Sequence, residues 1–444
     1  MKKIIVLFSV VFLINKCSTQ QKDIGETEIS RWQFGKKGAV SITWDDGSIN
    51  QFRIALPILN RLKIPATFYI ITGHIPGSQY QPAFIGRPVK TIIKETATIP
   101  TNKENFYERS SAAGFLGYQG TVKYHTDAGI KIDGGKPEEA YTIIDELYKK
   151  VRNGDFPSKN KTNPRINMDR RITWDEIRSY AAQGHEFASH TVSHPYLSAL
   201  DNVNMMYELE KSREDILNQL GKKYTFSATI PYASKEERVL NNAYKVYPAI
   251  RTKISQDFMS IMDEFNTSDL KNPDSLDKEY AAWQCRAFTR TTLSTMKSWI
   301  DTTASYNNIW QIIIFHGVDG IGYEPLSSEL LDEYFRYMKS REDDLWIATY
   351  ADVAKYIGER MNSSFKTTAD KEKITINLTN SLDQALYDIP LTLKTYVPSK
   401  WKEVQVNQGT VNTTLSTQED SGGKYLLYQA YPNTGNIELK EIKE

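Results

Sequence analysis

Hydrophobic and polar positions divide the chain into two regimes. Over 38–361, apolar runs of strand length alternate with stretches of helical period. Residues 38–44 read as a buried strand, 51–62 as a helix and 66–71 as the next strand. This β–α–β opening favours a parallel sheet or barrel. From about 74 to 171 the rhythm breaks. That stretch is rich in Gly, Pro, Tyr, Lys and Thr, shows one clear helix (137–151), and reads as a long insertion. Regularity returns at Thr173-Trp-Asp-Glu176, a capping box opening a helix to about Gln183. Strands are then predicted at 186–189, 225–230, 249–250, 282–288, 309–315 and 345–348. Helices are predicted at 202–220, 235–244, 293–306, 327–340 and 350–361, with a polar excursion over 255–278. Repeated units of this kind predict a (β/α) barrel occupying 18–362, whose active-site groups gather at the C-terminal strand ends. Beyond 362 the pattern changes to short alternating strands (374–378, 391–397, 403–406, 424–429, 437–439) separated by Asn, Gly and Ser. These predict a small all-β sandwich over 368–444.

The first residues carry a different signal. Lys2-Lys3 precedes an apolar stretch, 4–14, too short to cross a bilayer as a stable helix, and 1–17 reads as a signal peptide. Cys17 stands where a bacterial lipoprotein is cut and lipidated, although Lys16 departs from the small residue expected before it. Ordinary secretory cleavage is the alternative. The expectation is export to the periplasm, cell surface or medium, with a lipid anchor at Cys17 as the only membrane attachment. Cys285 is then the one remaining cysteine, expected as a buried thiol within a strand, so no intramolecular disulfide is available. Among 444 residues, 55 Lys and Arg balance 54 Asp and Glu, and no basic patch points to nucleic acid. The 26 tyrosines and 8 tryptophans suit sugar stacking.

The candidate chemistry lies at the ends of the apolar runs. Three of the chain's six histidines fall within Gly184 to Pro195. His190 and His194 are four apart, so one helical turn, or a tight loop of similar pitch, aims both imidazoles the same way. Two imidazoles bind a divalent metal with a third ligand, usually a carboxylate, and Asp45-Asp46-Gly47 supplies one at the end of the first apolar run. A later run, 312–315, ends at His316.

Thr43-Trp44-Asp45-Asp46-Gly47, His190-Thr-Val-Ser-His194-Pro195 and Phe315-His316 resemble, in order, three signature motifs of the polysaccharide deacetylases (carbohydrate esterase family 4, the NodB-homology domain). The resemblance spans about 36–360 apart from the insertion. It implies a distorted (β/α) barrel and metal-dependent removal of N- or O-linked acetyl groups from an acetylated oligo- or polysaccharide. Carried over by position, it implies Asp46, His190 and His194 as the metal triad, Asp45 as general base and His316 as general acid. The implied cofactor is one divalent ion, zinc first, with cobalt, nickel or manganese as alternatives. Three protein ligands leave a position open for water, and Asp45 diverges from its neighbour along the strand, so it is available as a base.

Two departures from the family pattern stand out. Trp44 stands where the family often has Phe, a conservative change. The family's third motif commonly carries an Arg shortly before Pro-Tyr-Gly, which orients the catalytic Asp; here the text is Ala228-Thr-Ile-Pro231-Tyr232-Ala233. Pro231 and Tyr232 remain, with the Tyr232 backbone N–H a candidate oxyanion donor. The Arg is absent. Arg251, which follows the run 248–250 and should emerge at the catalytic end, is the expected replacement, with Arg286 second. Trp283 is the nearest candidate for the family's aromatic pocket wall. A glycan-binding protein on a non-catalytic barrel is the competing class, which release of acetate from acetylated oligosaccharides separates from the deacetylase. A metallohydrolase acting on non-sugar amides is a third reading, mildly disfavoured by the aromatic richness.

Overall fold

The computed structural model describes residues 21–157, 171–254, 261–266, 278–370 and 372–442. The 1–17 leader and Cys17 lie outside these residues. The chain divides into two compact units, one of 31–362 with 381–390, the other of 1–30, 363–380 and 391–444.

Among the described residues the larger unit is built on nine parallel strands. Strand β1 (Thr27–Ile29) belongs to the smaller unit. The nine are β2 (Gly38–Trp44), β3 (Thr67–Ile70), β4 (Glu186–Ser189), β5 (Ser227–Ala228), β6 (Ala249–Ile250), β7 (Met262–Asn266), β8 (Tyr280–Arg286), β9 (Ile309–Phe315) and β10 (Leu345–Ile347). They pair in the order β6-β5-β4-β3-β2-β9-β8-β7, with β10 against the first half of β2. Among the described residues β6 and β7 form no ladder, so the barrel is open and distorted. Helices α1 (Leu56–Leu62), α6 (Trp174–Ala181), α7 (Asn202–Leu220), α8 (Glu237–Val246), α9 (Leu293–Ser305), α10 (Ser328–Lys339) and α11 (Tyr350–Asn362) follow the strands.

Burial follows strand alternation. On β2, Val40, Ile42 and Trp44 join a core with Phe52, Phe68, Phe187 and Phe315. Ser41 and Thr43 face the other way and bond Trp310 and Arg251. Each large apolar side chain in such a core contributes roughly 1.5–3 kcal/mol on burial, so the strand leading to Asp45 is firmly held.

The stretch after β3 is more helical than its composition predicts. It forms α2 (Val89–Glu95), α3 (Phe106–Ala113), α4 (Thr121–Asp133) and α5 (Pro137–Asn153), with its own core around Phe106, Ile144 and Tyr148. Only α5 has a readable apolar stripe. The buried side of α4 is Thr121, His125, Ala128 and Gly129, a helical period written in small and polar residues. Two further differences concern the strands. The predicted strand at 225–230 shortens to Ser227–Ala228, and the 255–278 excursion contains β7.

The smaller unit is all antiparallel. One sheet orders β1, β13 (Leu391–Tyr396), β17 (Gly423–Ala430) and β16 (Gln418–Asp420). The other orders β11 (Ser364–Ala369), β12 (Lys373–Thr379), β18 (Ile437–Glu441), β14 (Glu403–Gln408) and β15 (Val411–Ser416). Strand β15 is absent from the predicted set because it is exposed nearly throughout, an edge strand without alternation. Among the described residues no helix is long and apolar enough to cross a membrane.

Candidate active site

The register of β2 and β9 pairs Trp44 with Phe315, so Asp45 and His316 leave the sheet side by side. The Asp45 N–H donates to Phe315 O at 3.0 Å. Gln51, fully buried in a single π-helical turn, donates to the carbonyls of both Asp45 (2.5 Å) and His316 (2.7 Å). Asp45 continues the inward alternation of Ser41 and Thr43. Asp46 does not, because the chain reverses there with Asp46 at φ 73 and Gly47 at φ 66. Adjacent carboxylates therefore separate into two surroundings.

His190 follows β4, its N–H donating to Ile70 O (2.9 Å). Its Nδ1 lies 3.0 Å from Thr229 O, leaving Nε2 free to ligate. The loop to His194 is tight rather than helical, with Thr191 at φ 67 and His194 at φ 61. Left-handed conformations cost about 1–3 kcal/mol at non-glycine residues and persist where surrounding bonds enforce them. Here Thr72 and Gly73 donate to Thr191 O and Val192 O. Glu208 of α7 accepts from both Ser193 N (2.8 Å) and Ser193 Oγ (2.6 Å). Burial pushes the Glu208 carboxyl up.

Asp46 Oδ1 lies 3.5 Å from His190 Nε2 and 3.4 Å from His194 Nε2, and all three ligating atoms fall within 4.8 Å of one another. A tetrahedral ion with ligands at about 2.1 Å spaces neighbouring ligands about 3.4 Å apart, so the residues fit a divalent cation. Burial opposes charge on Asp46, yet the two imidazoles hold its carboxyl below the ordinary range. Burial, then His190, lowers His194 to about 4.

Asp45 is held by Arg251, whose Nη2 donates to Asp45 Oδ2 at 2.6 Å. The same guanidinium donates to Thr229 Oγ1 (2.7 Å) and Thr43 Oγ1 (3.3 Å) and lies over the Tyr69 ring. Burial alone raises the Asp45 carboxyl; Arg251, then His316 and His190, outweigh it and hold it below the usual carboxylate range. Among the described residues, the buried Asp45 Oδ1 has no hydrogen-bond partner. His316 Nε2 lies 3.6 Å from Asp45 Oδ2, and burial lowers its imidazole.

The other expected residues separate. Pro231 is buried, and the half-exposed Tyr232 ring lies 4.8 Å from both His194 and Tyr196. Arg286 does not reach Asp45; it lines a neighbouring cavity. Trp283 is not a pocket wall, because alternation along β8 puts it in the helix-facing core with Cys285. Sequence reasoning missed Gln51, Glu208, Thr229 and Tyr323. Tyr323 is half-exposed and packs edge-on against His316 at 5.3 Å. Glu208 and Thr229 have no motif signal because they act through contacts distant in sequence. Gln51 and Tyr323 lie close to Asp45 and His316 in the chain, but the turns that bring them back to those residues follow no readable pattern.

The sequence model of the family described as polysaccharide deacetylase matches residues 34–98 and 146–247. Over these residues the barrel is similar to the polysaccharide deacetylase family. The match includes Asp45, Asp46, His190, His194, Pro231 and Tyr232, and leaves out α3 and α4 of the insertion. A gellan lyase from a Bacillus species is 28% identical over 276 residues, covering 59% of this chain and 11% of that protein. The chain thus spans about a tenth of the length of this curated relative. Among solved structures, the Xyl-CE4 domain of a multidomain xylanase from the hindgut metagenome of Trinervitermes trinervoides is 13% identical. That match covers 72% of this chain and 92% of that one, with a TM-score of 0.34. A family 4 carbohydrate esterase of Bacillus subtilis is 12% identical, covering 76% and 85%, with a TM-score of 0.33. The insertion borders the histidine loop. A cavity of about 490 Å³ is lined by Phe115, Val122 and His125 on one side and His194 and Tyr232 on the other.

Proposed function

We propose that the barrel hydrolyses acetyl groups, N- or O-linked, from a carbohydrate, with Asp46, His190 and His194 holding one divalent ion. Two nitrogens and one oxygen suit zinc, and equally cobalt, nickel or manganese. When bound, such an ion supplies Lewis-acid chemistry, polarising an acyl carbonyl and acidifying water. Asp45 takes the proton from the attacking water through Oδ1, the oxygen that Arg251 leaves free. The water oxygen bonds to the acyl carbon, and the Tyr232 backbone N–H is the candidate donor to the oxyanion that develops. His316 delivers a proton to the departing nitrogen or oxygen as the C–N or C–O bond breaks, releasing acetate and the amine or hydroxyl. Tyr232 and Tyr323 offer exposed rings on either side for sugar stacking. With its leader, the protein is expected to meet this glycan after export.

The observation that carries the reading is the division of labour between neighbours: Asp46 faces two imidazole nitrogens, while Asp45 faces a guanidinium and a third imidazole. Acetate release from a panel of acetylated oligosaccharides, with and without chelator, tests it. Asp45→Asn is expected to lower kcat by roughly 10²–10⁴ while leaving metal content near normal. Glycan binding without acetate release from any of them would instead favour a non-catalytic binding protein.

A further inference from the structure

A cavity of about 900 Å³ opens where Arg251 meets Asp45 and runs between the ends of β6 and β8 and the start of α9. Its charge is unbalanced. Among the described residues, Arg251 is matched by Asp45, but Lys235, Arg286 and Arg290 also line it, against the single carboxylate Glu324. Glu324 is turned to the Thr289 N–H at 3.0 Å. Among the described residues no carboxylate lies within 4.0 Å of the Lys235, Arg286 or Arg290 nitrogens. Arg286 is the informative one. The alternation that sends Trp283 and Cys285 into the core turns Gln284 and Arg286 into the cavity, where Arg286 is half-buried. Removing a guanidinium from water without an anion beside it is costly. Keeping one at the end of a buried strand, with two more cations around the same space, suits a ligand that brings the negative charge. The whole chain is nearly neutral, at +1, so this excess is local.

We propose that this cavity is a subsite for an anionic substituent, carboxylate or sulfate, on the glycan that the barrel deacetylates. The proposal rests on the deacetylase reading for the acetyl group and deepens it by naming the substrate class. The anion pairs with Arg286 and Arg290, whose forked donors match two oxygens at once, and with Lys235 as a point charge. A sugar bound this way sits beside the Asp45–Arg251 pair, one unit along from the residue being deacetylated.

Acetate release is measured for three substrates of equal length: a neutral acetylated xylo-oligosaccharide, an acetylated oligouronide and an acetylated sulfated oligosaccharide. The wild type should favour at least one anionic substrate over the neutral one in kcat/KM by about tenfold or more, as expected for a charge-assisted pair. That preference should weaken with added salt. Arg290→Gln should reduce the anionic-to-neutral ratio, and Arg286→Gln with Arg290→Gln should bring it near one, mainly through KM. A wild type without anionic preference, or a ratio unmoved by the double change, overturns the proposal. If no substrate releases acetate, the deacetylase reading fails, and calorimetry with unacetylated oligogalacturonate and a sulfated oligosaccharide still decides the subsite. Binding to the wild type weakened about tenfold in Arg290→Gln upholds it; equal binding, or none, overturns it.

Discussion

Arg251 reaches Asp45 from the strand after the one whose motif usually supplies that arginine. Thr229, in the segment where the arginine is missing, now anchors the incoming guanidinium through its hydroxyl. The position of Arg251 just past 248–250 made it legible in sequence, because a residue leaving a barrel strand emerges at the catalytic end. Arg286 and Trp283 could not be ranked the same way, since facing along β8 depends on a register that sequence leaves open. A lysine ammonium has three donors on one nitrogen and lacks the planar fork that lets Arg251 reach Thr43 from one nitrogen and Asp45 and Thr229 from another. Arg251→Lys should therefore lower kcat by roughly 10- to 100-fold with metal content unchanged. An unaltered kcat would show that Asp45 needs no fork to hold it.

At the scale of elements, the histidine loop is held by its neighbours. The spacing of His190 and His194 announced convergence, but not the clamp by Glu208 or the left-handed turns, because these depend on α7 lying across the loop. Glu208→Gln keeps one acceptor and loses the other, and should weaken affinity for a divalent ion about tenfold, read by competition with a chromophoric chelator. An affinity equal to the wild type would make the clamp irrelevant to the ligands. Helix α4 was illegible for a related reason: its buried face includes His125 instead of an apolar stripe. His125 Nε2 accepts from Tyr196 N and Nδ1 faces Ser110 O, and burial lowers the imidazole to about 4. The unfolded chain takes up a proton near pH 6.5 that the folded one refuses, so this contribution is intact above 6.5 and is lost as pH falls toward 4. The loss approaches about 3 kcal/mol over that window. Glu359, raised to about 7 by burial, acts with the opposite sign, so the difference between wild type and His125→Gln is the quantity to follow. Urea unfolding from pH 7 to 4 should show the difference shrinking as pH falls; parallel curves would contradict the assignment.

For the whole molecule, the barrel and the all-β unit were both legible from the change of hydrophobic period near residue 362. The edge strands were not, since an exposed strand has no buried side to reveal it. Three short motifs far apart in sequence meet because a parallel sheet brings all its strand ends to one side. The central claim is that this meeting point holds one divalent ion and releases acetate with it. The direct measurement strips the protein of metal, then titrates in zinc while following acetate release from an acetylated oligosaccharide. Activity should be absent in the stripped protein, rise to a plateau at one equivalent, and remain absent throughout in His190→Ala. Acetate release that persists without metal, or survives loss of His190, would contradict the account.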